Sequence, residues 1–204
     1  LKANFILLTD PKVIGSLFEQ NKLDKLHLNV SFKNLQKIEA KRNDALSKGK
    51  LVSSNEDFVK AVLSNGKVDL GCKIRLKGDL SDHWSGDKWS LRVEMKGDGL
   101  VKGMSRFSLQ DPETRKGTDE WLFLNSLSKE DCMTVRYEFI NLVLNGKDMG
   151  IYAMEEHFSK EMIEANQRRE GVIVAFDEHL VWRKFPPQLF DNINWDTIFR
   201  SSGL

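Results

Sequence analysis

Two Asn-Gly steps, each set between two apolar runs, constrain this chain more than any other feature of it. Asn-Gly readily takes the paired positive φ values of a type I′ turn, whose twist matches that of antiparallel strands. Residues 58–63 and 68–76 flank Ser64-Asn65-Gly66-Lys67, and residues 135–144 and 149–154 flank Asn145-Gly146-Lys147-Asp148. Both read as β-hairpins, so the sheet is expected to be antiparallel. A further strand is predicted over residues 26–32, where Leu26, Leu28, Val30 and Phe32 alternate with polar neighbours, and others over 88–96, 106–110 and 171–176. Helical spacing is found at residues 10–21, at 35–48 before Gly49, at 113–127 with Trp121, Leu122, Leu124 and Leu127 as the expected buried side, and at 155–169. Two adjacent prolines, Pro186 and Pro187, mark loop. The expected class is α+β: an antiparallel sheet with a helix inserted between its strands and another after the last hairpin.

Composition excludes several function classes. The 204 residues are 40% apolar and 30% charged, enough to bury a core in one large or two small domains. Thirty-one basic against thirty acidic side chains leave a net charge of +1, without the basic excess of a dedicated nucleic-acid binder. Twelve Phe and five Trp argue against disorder. No apolar run approaches the roughly 20 residues of a membrane-spanning helix. Cys72 and Cys132 are too few for a disulfide scaffold, lack Cys-x-x-Cys spacing, and are expected to be buried. The chain starts at Leu1 with no signal-type segment and stops without a terminating element, so both ends are expected to be cuts.

The polar stretch from Arg75 to Lys88 attracts chemical interest. It carries Gly78 and Gly86, and Arg75, Lys77, Lys88 and Arg92 flank it, so backbone N–H groups and cations are available to a phosphate. The plainer reading has the glycines serving turns and the cations facing solvent. Asp79, Asp82 and His83 offer oxygen and imidazole ligands for a divalent cation, although such loops more often build turns from side-chain-to-backbone hydrogen bonds. His27 alternates outward on a strand, and neither His157 nor His179 has a partner recognisable from sequence. No Gly-x-Ser-x-Gly elbow or Walker pattern occurs. Glu155-Glu156 either direct a carboxylate toward a site or favour a helix N-terminus.

Several segments, taken together, resemble one family. They are Arg75-Leu76-Lys77-Gly78-Asp79, Asp82-His83-Trp84, Lys88-Trp89-Ser90-Leu91-Arg92, Phe107-Ser108-Leu109-Gln110, Arg136-Tyr137-Glu138-Phe139, and the run from Asn145 to Glu156 containing Gly150-Ile151-Tyr152. The pattern is similar to that of the spore coat protein H (CotH) kinase-like family of atypical kinases and covers about residues 70–180. The resemblance implies a bacterial coat, envelope or cell-surface setting and a kinase-like small lobe that binds ATP with Mg²⁺ and transfers phosphate to Ser or Thr of a protein substrate. Lys88 is then the leading phosphate contact, with Arg75, Arg92 and Lys77 beside it, and Glu120 is the helical carboxylate that orients the lysine. Met154, Glu155 and Glu156 would lie near adenine, and Asp177 would be a metal ligand. Where the family commonly has Asn-Ser-Ser after the glycine, this chain has Asp79-Leu80-Ser81, and no His-Arg-Asp or Asp-Phe-Gly signature follows. A truncated large lobe is therefore expected. The implied organisation is an N-terminal α/β extension over 1–57, a core over 58–180 and an incomplete region over 181–204. The alternative is a non-catalytic surface-assembly module with Trp84, Trp89 and Trp182 as contact residues.

Overall fold

Strand pairing, more than helix packing, organises this molecule. The computed structural model describes residues 23–174. Its strands are β1 (Asp24–Val30), β2 (Val59–Ser64), β3 (Asp69–Leu76), β4 (Leu91–Met95), β5 (Arg106–Gln110), β6 (Tyr137–Leu144) and β7 (Lys147–Glu156). They hydrogen-bond in the order β1-β2-β3-β4-β5-β7-β6, and β6 returns to β1 to close a barrel. Every pair is antiparallel except β1 with β6, which run parallel with Leu26 opposite Leu142 and Leu28 opposite Leu144.

Closure overturns the expected open sheet of a kinase small lobe with an inserted helix. The physical reason lies in what periodicity reports. Alternation rightly marks Leu26, Leu28 and Val30 as buried, but Phe32, expected to continue the strand, opens the following helix and is 75% exposed, and the pattern carries no record of a parallel partner more than a hundred positions away. Residues 24–30, read as part of an extension, are a stave of the barrel.

The barrel interior follows period-two alternation. Leu28, Ile74, Val93, Phe107 and Leu109 are fully buried, and intervening residues such as Arg75, Arg92 and Glu94 lie on the outer face. Helix α1 (Phe32–Lys48) starts on Ser31, whose Oγ accepts the Asn34 amide, and ends on Gly49 at φ 69°, where a side chain would meet its own backbone. Of the thin apolar stripe that the spacing predicts, Leu35, Ile38 and Ala45, the last two are buried and Leu35 is half-buried.

Two other helices depart from expectation. Helix α2 (Asp119–Lys129) lies outside the barrel and buries no residue completely, leaving Trp121, Leu122 and Phe123 exposed. The expected helix over 155–169 shrinks to α3 (Lys160–Ala165), because β7 continues through Glu155 and Glu156, which pair with Ser108 and Phe107. Tertiary pairing overrides local helix propensity there. Residues 171–174 form no strand, and residues 175–176 of that predicted strand, like the predicted helix 10–21, lie outside the described residues. No helix among the described residues is long and apolar enough to cross a membrane.

Both hairpins form. The β6–β7 turn has positive φ at Asn145 (48°) and Gly146 (85°), as a type I′ turn requires. The β2–β3 connection has positive φ at Gly66 alone, and Asn65 Oδ1 accepts the Lys67 and Val68 amides. Asn145 does more than turn the chain. Its Oδ1 accepts the Val30 amide at 2.7 Å, its Nδ2 donates to the Val30 carbonyl at 2.9 Å, and its own amide donates to the Leu28 carbonyl. The hairpin tip is thereby stapled to β1 at the closing seam. Asn145→Gly keeps the left-handed backbone accessible and removes both side-chain bonds, so it is expected to destabilise the fold by about 1–3 kcal/mol, read as a lower urea midpoint.

The two cysteines differ, contrary to the expectation that both are buried. Cys72 is fully buried inside the barrel and burial pushes its thiol up to about 11, whereas Cys132 is exposed. A thiol reagent at neutral pH is expected to label one cysteine in the native protein and both in denaturant.

Candidate functional site

The outer face of the barrel carries a row of polar side chains set by strand register. Arg75 lies opposite Arg92, Arg92 opposite Ser108, Ser108 opposite Glu155, and Glu155 opposite Tyr137. Five strands thus contribute one residue each to a single line. At its upper edge, just past β3, Lys77 Nζ donates to Glu155 Oε2 at 2.6 Å and to Gln110 Oε1 at 2.8 Å.

Beside this row stands the glycine loop. Gly78 holds φ 94°, and a Cβ there would come within 2.2 Å of the His83 ring. Only glycine meets both demands. The loop is built inward from there: Trp84, fully buried, donates from Nε1 to the Gly78 carbonyl at 3.1 Å, and His83 Nδ1 meets Ser90 Oγ at 2.9 Å. Arg42 of α1 donates to the Trp84 and Ser85 carbonyls and stacks over Trp89 at 5.0 Å. The loop is a braced element.

Between loop and row lies a hollow of about 370 Å³, lined by Arg75, Lys77, Arg92 and Arg115 together with Ser53, Gly78, Asp79, Leu80, Asp82 and His83. Four cations meet two aspartates. Burial lowers the proton affinity of Arg75, Lys77 and Arg92, and for Lys77 it outweighs the opposing pull of Glu155. Arg115 Nε is 2.9 Å from Glu120 Oε2, but Arg92 has no carboxylate within ion-pair distance among the described residues. Arg75 lies over Phe58 at 5.1 Å, and its Nε is buried without a hydrogen-bond partner, as are Ser108 Oγ and Gln110 Nε2. Desolvated cations with incomplete counter-charge favour an anion.

The structure therefore gathers Arg75, Lys77 and Arg92 as the sequence anticipates, and puts Glu155 on Lys77. Glu120 reaches the same neighbourhood through Arg115, and burial, with repulsion from Glu155, raises its affinity for a proton. Lys88 lies elsewhere. Its Nζ donates to the Ile151 carbonyl at 3.1 Å, sits 3.6 Å from Asp111 Oδ1 and lies over the Tyr152 ring, outside the lining of the hollow. Nearness to the glycine in sequence failed as a guide because Ser90 folds back onto His83, carrying Lys88 past the loop toward β7. Met154 points into the barrel, and Glu156, 3% exposed, is held by Arg136 through its guanidinium and its amide. Trp84 is a core residue and Trp89 is half-buried. Asp177, His179 and Trp182 lie outside the described residues.

Arg115, Ser108 and Gln110 were missed. Sequence alternation places Ser108 and Gln110 on the face opposite Phe107 and Leu109, but nothing local signals that this outer face is itself covered. Asp79, Asp82 and His83 do not assemble into a metal centre, for no group of three metal-ligating side chains is found among the described residues. His157 adjoins the row. Burial and then Arg92 and Arg106 press its pKa down to about 4.

A comparison with protein-family models finds no match for this chain, and none of the curated proteins matches it.

Two outcomes are expected. Gly78→Ala collides with His83 and strains the backbone, so it should lower stability by about 1–3 kcal/mol and the melting temperature with it. For His157, the unfolded chain takes up a proton below pH 6.5 while the folded chain resists until about 4, so stability falls as pH drops through that window. Urea titrations across it should show a shallower loss for His157→Asn than for the parent.

Proposed function

We propose that the hollow beside Gly78 binds the phosphates of a nucleotide polyphosphate, and that the chain supports ATP-dependent phosphoryl transfer to Ser or Thr of a coat, envelope or surface protein. The observation that carries this is the set of desolvated cations, with no carboxylate within ion-pair distance of Arg92 among the described residues, Glu155 acting on it from further away while bonded to Lys77. Guanidinium groups suit phosphate because their planar N–H forks bond oxygen in pairs. Arg75 and Arg92 would hold the phosphates from the sheet and Arg115 from the opposite rim. Lys77, whose ammonium already has a carboxylate and an amide oxygen, would turn one donor to phosphate while Glu155 keeps its position. Magnesium takes one or two carboxylates plus phosphate oxygens, so although Asp79 and Asp82 form no metal centre by themselves, they line the hollow where magnesium would arrive with the phosphates and share it with their oxygens. Electrostatic stabilisation of this kind is the main contribution of protein groups in phosphoryl transfer.

Calorimetry with ATP and Mg²⁺ tests this. Saturable binding is expected, with stabilisation of about 2.7 kcal/mol at 100 times the dissociation constant. Lys77→Met and Arg92→Met should each weaken binding about tenfold or more, while Lys88→Ala should leave it near the parent value. Absence of saturable binding, or equal affinity in Lys77→Met, rejects the proposal.

A second reading, a non-catalytic assembly module, is favoured by α2, where Trp121, Leu122 and Phe123 are exposed side by side. Apolar patches of that kind mark interaction surfaces. It predicts no ATP binding and a concentration-dependent association in sedimentation that Phe123→Glu abolishes.

A further inference from the structure

We infer that the end of the barrel remote from the glycine loop is a binding pocket for a medium-chain carboxylate, a site independent of the phosphate hollow. The cavity there measures about 360 Å³, and its floor is made by the inward residues Leu26, Leu63, Ile140 and Met154, each at most 5% exposed. Apolar cavities of this size at barrel mouths suit one small ligand. Below the floor the interior is filled, with Leu28, Ile74 and Phe107 fully buried, so a ligand enters part-way and a short single chain fits better than a long one.

A flap crosses the opening. Residues 96–104 carry three glycines, with Gly97 at φ 58° and Gly103 at φ 77°, and fold into a loop joined by reciprocal hydrogen bonds between Val101 and Met104. Leu100, 47% exposed, and Val101 line the cavity from this loop. Lys102 latches the flap to the barrel, its Nζ 2.6 Å from both Asp24 of β1 and Glu138 of β6. Arg136 adds a second hold by donating to the Lys102 and Gly103 carbonyls. The flap is thus fixed at its far end, and Leu100 forms its apolar tip.

The rim selects the head group. Lys25, Lys67 and Lys102 line the cavity against a single carboxylate, Asp24, which is already engaged by Lys102. Lys25 lies 4.0 Å from Asp148, and Lys67 forms no ion pair among the described residues. One uncommitted ammonium above an apolar floor is complementary to a monoanion with an acyl tail.

Calorimetry on the full chain with decanoate, decanol and acetate tests the inference. Decanoate is expected to bind saturably, decanol about fivefold more weakly, and acetate not at all. Lys67→Ala should weaken decanoate about fivefold without changing decanol, because only the charged head meets the lysine. Val101→Trp fills the mouth from the flap, where Val101 packs against the edge of the core, and should abolish binding of both in a protein that still melts cooperatively. ATP affinity should be unchanged in both variants, which separates this site from the hollow. No decanoate binding, acetate binding as tightly as decanoate, or full decanoate affinity in a folded Val101→Trp protein would overturn it.

Discussion

Closure of the barrel through the β1–β6 seam is the constraint on which the rest of the structure depends. A seven-strand sheet left open there would expose two unpaired edges and the apolar faces of Leu26, Leu28, Ile140 and Leu142. Parallel pairing supplies the backbone bonds, and Asn145 adds a side-chain amide that satisfies both the donor and the acceptor of Val30. One residue thus sets a turn and fastens the strand that completes the barrel. Both ends of the molecule inherit their shape from that closure, the glycine-loop hollow on one flank and the apolar mouth at the other end.

The barrel also explains where charge can collect. Its interior is apolar, so ionic side chains along the middle of the strands face outward, with Glu156 at the end of β7 buried only in the grip of Arg136, and the pairing register lines the outer ones up across neighbouring strands. Ordinarily such a row would be solvated. Here the glycine loop, the 3-10 turn Pro112–Arg115 and the adjoining chain cover it enough to desolvate Arg75, Lys77 and Arg92. Glu155 answers part of that charge and Glu120 meets Arg115, but the imbalance at Arg92 persists. An electrostatic deficit inside a concavity is what distinguishes this cluster from the exposed pair Lys48–Asp44 on α1, which the solvent screens.

Much of the local architecture was legible in the residues. Both hairpins, the thin buried stripe of α1 and the cationic character of the Arg75–Arg92 stretch follow from turn chemistry and spacing. What failed shares one cause, that direction is decided by contacts distant in sequence. Lys88 follows Gly78 closely yet points to Asp111 and Ile151, because Ser90 folds onto His83. Trp121, Leu122 and Leu124 have the spacing of a buried helical face, but α2 rests on the outside of an already closed barrel. Glu155 and Glu156 resemble a helix start and are the end of a strand, since β5 offers them backbone partners.

The sequence by itself determined the local geometry: where the chain turns left-handed, which side of each strand is apolar, and which segments carry cations, because those properties depend on a residue and its near neighbours. Tertiary structure alone decided that the sheet closes, that Arg115 and Glu155 join Arg75, Lys77 and Arg92, and that Lys88 does not. Pairing between strands far apart in the chain is a competition among many possible partners, and only the completed barrel resolves it.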